Sequence, residues 1–142
     1  MGDIIPVDGT SKDERRTQIA ALESGMRELP QVDCPLTHYH ANGVYGREIH
    51  IPAGTVLVGE IHKHDCIAVL SRGIIRIVTD TEDKTLTAPC TFVMYAGAKN
   101  VGMAITDVVW TTFHPNPANE HNPDTLRAQL TAPSYDQIEV QL

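Results

Sequence analysis

Two histidines stand one residue apart in GTVLVGEIHKHDCIAVLSRG, residues 54–73. Side chains alternate faces along a strand, so His62 and His64 share a face if that strand is unbroken. Imidazoles at this spacing can grip one divalent transition metal when a third ligand joins them. Two further histidines are placed to do so. His50 has the parity of Glu48, opposite to Ile49 and Ile51, and faces outward if the isoleucines face a core. His114 follows the last apolar run and can fold over the mouth of a barrel. The metal set expected from the sequence is therefore His62, His64 and His114. The alternative is that His62 and His64 hydrogen-bond inside a metal-free barrel, or lie in a subunit contact.

Other residue types admit chemistry less readily, and no catalytic residue is assigned. Cys66 near His64 could be a thiolate activated by a base; a buried strand cysteine is the plainer reading. Asp107 reads as a turn acid holding a backbone amide. His38 and His40 form a second HxH within residues 30–46, an irregular stretch rich in turn formers, and are expected on a surface loop. Trp110 is expected in the core or at an interface. Asp80-Thr81-Glu82-Asp83 reads as a solvated hairpin tip, with calcium binding as its alternative.

The elements that must position these residues follow from periodicity. Ser11-Lys12-Asp13-Glu14 is a capping-box pattern. Ile19, Leu22, Met26 and Leu29 then make one helical stripe that Pro30 stops, which predicts a helix over 12–28. Its narrow apolar face must lie on the domain body or on a second subunit. From Arg47 the pattern alternates, and short apolar runs follow at 47–51, 56–62, 66–70, 74–79, 92–95, 101–105 and 108–113. Turn signals separate them roughly every ten residues, the mark of a sandwich or small barrel. No helical pattern interrupts the runs, which argues against parallel βαβ units. Asn122 and Pro123 predict a cap and first turn for a short helix at about 123–131. Residues 1–9 read as an extended arm, and Ile138, Val140 and Leu142 alternate as a last strand would.

The chain has 142 residues with a formal net charge of −7, from 18 acidic and 11 basic side chains. An acidic chain without a Lys/Arg cluster argues against nucleic acid and against anionic membrane surfaces. The three cysteines are widely spaced with no CxxC, so neither a disulfide framework nor a zinc ribbon is expected. MGDIIPVDG is neither cationic nor followed by a long apolar run, so no signal peptide or membrane span is expected. One domain is expected over 1–142: an N-terminal arm and helix (1–29), a barrel (45–115) and a C-terminal extension (116–142).

With Gly54, His62-Lys63-His64 and Gly73 in place, the middle of the chain resembles the cupins, small double-stranded β-helix barrels. The first cupin motif also has a glutamate after the HxH; Asp65, Cys66, Ile67 and Ala68 stand there instead. Asp65 or Glu60 are the nearby oxygen ligands. Of the second motif only Gly97 is kept, and Asn100 occupies the place of its histidine. VYGREIHIPAGT, GEIHKHD, LTAPCTF, AGAKNVG and ITDVVWTTFHPNP resemble a group of small cupins encoded by tailed bacteriophages. The resemblance implies an all-β cupin-like barrel with an N-terminal helix and a short C-terminal helix. It implies a non-catalytic structural or assembly protein, homo-oligomeric, meeting other phage structural proteins in a tail or capsid. Its location would be the virion or the host cytoplasm. The alternatives are a small metal-dependent cupin enzyme acting on a small molecule in the barrel, and a protein that sequesters a signalling molecule there.

Overall fold

The computed structural model describes residues 11–132. The N-terminal arm and the alternating tail at 138–142 lie outside the described residues. The first helix, α1, spans Lys12–Met26, and the Ser11 hydroxyl accepts from the Glu14 amide at 3.1 Å, as the capping pattern predicts. It lies on the body of the domain. Ile19 is fully buried and packs with Val78 and Val101. Leu29 lies past the end of the helix and is exposed, so the buried stripe is shorter than expected.

Polar contacts also fix α1. Arg15 is buried and donates to the Thr79 carbonyl at 3.2 Å. Arg16 donates to Asp80 at 2.8 Å. Asp80 is only 6% exposed, which corrects the reading of a solvated tip at that residue, while Thr81, Glu82 and Asp83 are exposed at the hairpin as expected. The acid looked like a loop residue because its partner lies 64 positions away in the chain.

The strands are β1 Leu36–Ala41, β2 Gly43–Ile51, β3 Val56–Val58, β4 Ile61–His62, β5 Cys66–Arg72, β6 Ile74–Val78, β7 Asp83–Thr87, β8 Cys90–Met94, β9 Val101–Ala104, β10 Val108–Asn116 and β11 Thr131–Ala132. A second helix, α2, spans Pro123–Leu130, capped by the Asn122 side chain. One sheet runs β1-β2-β10-β5-β8 and a second runs β3-β9-β6-β7, while β11 pairs with β4. Every pairing is antiparallel. Ile51, Ala68, Leu70 and Trp110 of the first sheet meet Ile75, Ile77 and Ala104 of the second in one core. The alternation on β5, with Cys66, Ala68 and Leu70 buried, is what a sheet with one wet face requires. No helix among the described residues is long and apolar enough to cross a membrane.

Two strand expectations need correction. Residues 36–46 are not irregular: β1 and the start of β2 form a hairpin around Asn42 and Gly43. As an edge strand exposed along its whole length, β1 has no inward–outward alternation to betray it. The run 56–62 is broken at Gly59 and Glu60 into β3 and β4.

The turn between β5 and β6 is a single residue, Gly73, at φ +92°. A Cβ there would lie 2.1 Å from the Asp107 carbonyl oxygen. Asp107 in turn accepts from the Ala53 amide at 2.9 Å, the turn role expected of it. Gly54 also has positive φ, but open space surrounds it. Gly73→Ala should therefore cost about 3 kcal/mol or more, from left-handed strain plus overlap, and Gly54→Ala only about 1–2. Urea unfolding of the two variants checks this, and equal losses would refute it.

Candidate functional site

Between the sheets, on the side covered by α2, lies a cavity of about 550 Å³. Ile49, Ile51, Leu57, Met94 and Trp110 supply apolar wall, and Tyr45, Arg47, Glu60, His62 and His114 supply polar wall. The strand register arranges much of this as a grid. Across β2 and β10, Tyr45 faces His114, Arg47 faces Thr112 and Ile49 faces Trp110.

The HxH pair does not act as a pair. β4 ends at His62, and the backbone bends through Lys63 and His64. The Lys63 amide donates to the Leu130 carbonyl at 2.9 Å, and its ammonium to the Ala128 carbonyl at 2.6 Å. The end of α2 thus draws the chain aside. His62 lines the cavity, whereas His64 is exposed and absent from the wall. Shared parity needs an unbroken strand, and this one stops between the two residues.

His114 is not a lid residue beyond the last strand. β10 continues to Asn116, so His114 shares the inward parity of Trp110 and Thr112 and is 6% exposed. Pro115 hid this in the sequence. β10 pairs with β5 only as far as Phe113, so no ladder hydrogen bond is lost at the proline on that side. His114 Nε2 and the Thr112 hydroxyl lie 2.8 Å apart. The His62 and His114 rings meet edge-on with centroids 5.6 Å apart.

His38 and His40 lie on β1, not on a loop. His38 Nδ1 is 2.6 Å from the Tyr45 hydroxyl, and the His40 ring stacks on His121 at 4.0 Å. His50 faces outward as expected and pairs with Glu48 at 2.9 Å.

Electrostatics separate the polar groups into two sets. Burial, reinforced by Arg47, pushes the His62 imidazole down from its usual range. Burial, then the charges of His62, Arg47 and, least, His64, pushes His114 down to about 4, so His64 still acts on His114 although it lies off the cavity wall. Both rings are therefore neutral at neutral pH. The Cys66 thiol, 3.3 Å from His62 Nδ1, is pushed up to about 11 by burial and by Asp65, which leaves it protonated and a poor nucleophile. Burial works against the Glu60 carboxylate, but hydrogen bonds from Arg127 and Thr131 hold it below its usual value. Arg127 Nε donates to Glu60 at 2.6 Å, and Arg127 Nη2 and the Thr131 hydroxyl also reach it.

The donor set does not fit a transition metal. Stable sites take three or four protein ligands, and each imidazole on the wall already has a partner: His38 the Tyr45 hydroxyl, His62 the Cys66 thiol and His114 the Thr112 hydroxyl. Asn100, which the motif resemblance sets opposite a histidine, lines the wall and is a poor ligand for a divalent metal. Asp65 accepts from the Ala96 amide at 2.8 Å, and Glu60 is held by Arg127. Among the described residues, no group of three or more His, Cys, Asp or Glu is placed to hold a metal ion.

No family model matches the chain, and no curated protein matches it in sequence. Solved structures do match. The KdgF protein of a Halomonas species is 17% identical, with a TM-score of 0.51 over 63% of this chain and 91% of its own. Salicylate 1,2-dioxygenase from Pseudaminobacter salicylatoxidans is 17% identical with a TM-score of 0.54, over 75% of this chain but only 33% of the dioxygenase. A cupin-2 domain-containing protein from Shewanella frigidimarina is 15% identical, with a TM-score of 0.48, over 66% of this chain and 90% of its own. At these identities the likeness is one of fold. The chain has an all-β, cupin-like fold with two helices. The matches lend no support to a phage origin or a virion role.

The buried His114 makes stability depend on pH. An unfolded histidine titrates near pH 6.5. Between that value and about 4 the unfolded chain binds a proton that the native ring refuses. Stability should therefore fall as pH drops through this window, by on the order of 3 kcal/mol, and level off below it. His62 adds in the same direction. Urea melts from about pH 7 to about pH 4.5 should show a clearly weaker slope in His114→Gln than in the native chain; equal slopes would sink the assignment.

Proposed function

We propose that this chain is a non-catalytic, homo-oligomeric cupin-fold protein whose barrel holds a small molecule without a transition metal. The observation that supports this is the split of the HxH pair. His62 stays in the wall while His64 leaves it, yet a cavity of about 550 Å³ remains. That volume suits a small ligand, since such sites span roughly 300–1,000 Å³. A protonated thiol and two neutral imidazoles, with one wall acid, Glu60, bound to Arg127 and the other, Asp124, exposed at the start of α2, are a poor set for nucleophilic or acid–base catalysis.

One observation favours the second reading, a metal-dependent enzyme acting on a small molecule in the barrel. The His62 and His114 rings adjoin each other on the cavity wall. Metal analysis of the purified protein separates the two. The expected content is below about a tenth of an equivalent of any transition metal, unchanged by His62→Ala. A full equivalent that disappears in His62→Ala would replace the first reading with the second.

The oligomeric part has its own support. Tyr39, Gly46, Phe113, Ile67 and Val93 stand in register across β1, β2, β10, β5 and β8. The four side chains in this row are 38% to 51% exposed, on the face away from the core. The Tyr39 side chain and the Phe113 ring close over Gly46 from both sides. A contiguous apolar row of this kind suits a contact between copies. Light scattering should give a multiple of the monomer mass, reduced by Ile67→Lys. A native chain that stays monomeric at high concentration would end this part of the proposal.

A further inference from the structure

Among the described residues, the cavity wall carries one cation that its own fold leaves unused. Arg47 lies on β2 with the parity of Tyr45, Ile49 and Ile51, all of which line the cavity. Its partner in register, Thr112, has its hydroxyl engaged with His114. Among the described residues the Arg47 guanidinium makes no hydrogen bond and no ion pair. Glu60, the inward carboxylate, is held by Arg127 and Thr131. Asp124, the other acid on the wall, is exposed in the first turn of α2. Withdrawing a guanidinium from water without a partner is costly, and an incoming anion removes that cost.

We propose that Arg47 is the recognition residue for a small organic acid, one carboxylate on an apolar body, held inside the barrel. This rests on the small-molecule reading above. Arginine offers a planar fork of N–H donors that matches a carboxylate with two parallel hydrogen bonds. Ile49, Ile51, Leu57, Met94 and Trp110 give the apolar body its surface. One unpaired guanidinium balances one negative charge. A phosphate monoester brings about −1.5 to −2, and the second arginine on the wall, Arg127, is committed to Glu60. The neutral imidazoles of His62 and His114 do not compete for the anion as ions, and they give the site hydrogen-bonding groups.

Trp110 is the single tryptophan of the chain and lines the cavity, so its fluorescence reports occupancy. The probes are cyclohexanecarboxylate, cyclohexanecarboxamide and cyclohexyl phosphate, none of which absorbs with indole. The carboxylate should titrate the signal. The amide, of the same shape without the charge, should bind at least roughly 10-fold more weakly, and Arg47→Gln should weaken the carboxylate about 10- to 100-fold. Arg47→Lys, which keeps the charge without the fork, should fall between native and Gln. The acid–amide comparison uses the native chain and stands even if the Gln variant fails to fold. Equal binding of acid and amide, or preference for the phosphate, overturns the inference while leaving a small-molecule cavity in place. Silence towards all three probes also overturns it, and a full equivalent of bound metal found alongside removes the metal-free reading as well.

Discussion

The return of α2 and β11 onto β4 governs what the barrel can do. Thr131 pairs with His62 and Ala132 with Ile61, so the chain after α2 lies along the strand that carries the first histidine. Three consequences follow from this one contact. The Lys63 amide is taken by the Leu130 carbonyl, which turns His64 out of the cavity. Glu60 is taken by Arg127 and Thr131, which removes the cavity's inward carboxylate from use. Among the described residues, Arg47 is then left facing the cavity with no hydrogen bond or ion pair.

Charge orients this contact but does not hold it. Arg127 is 69% exposed, and an ion pair with so wet a partner is worth well under about 1 kcal/mol. Leu126 and Leu130 are nearly fully buried against Tyr45, and Ala132 is buried beside Ile61. Each leucine withdrawn from water contributes about 1.5–3 kcal/mol. The same Tyr45 gives its hydroxyl to His38 and its ring to the stacks with His38, His40 and His114. The helix therefore rests on the residue that also orders the upper wall of the cavity.

Where a feature is local, the sequence shows it. The Ser11 cap, the Asn122-Pro123 helix start and the apolar run of β5 need only neighbouring residues to be read. Features decided at a distance are invisible there. Asp80 is buried because α1 brings Arg16 to it, and nothing near Asp80 announces that. The bend after His62 lies where the Leu130 carbonyl at the end of α2 takes the Lys63 amide, so strand parity carried through it gave His64 the wrong face. Arg47 had a readable signal. It shares the parity of Ile49 and Ile51, and a charged residue on the core side of a strand marks a buried polar site. His114 was hidden by Pro115, which reads as a strand end unless one knows that β5 has already left β10 there.

Arg47 also bears on the metal question by a route independent of counting ligands. Its positive charge is among the causes that lower both His62 and His114. A field that resists one added proton on those rings resists a divalent cation bound to them more strongly, since the repulsion scales with charge. Of the cavity's carboxylates, Glu60 offsets part of this charge at His62 but is itself bound to Arg127. An anion in the cavity reverses every term. It pairs with Arg47, relieves the repulsion on the imidazoles and leaves the Glu60–Arg127 pair intact. The charge distribution that argues against a metal therefore argues for an acid, and both follow from where α2 ends.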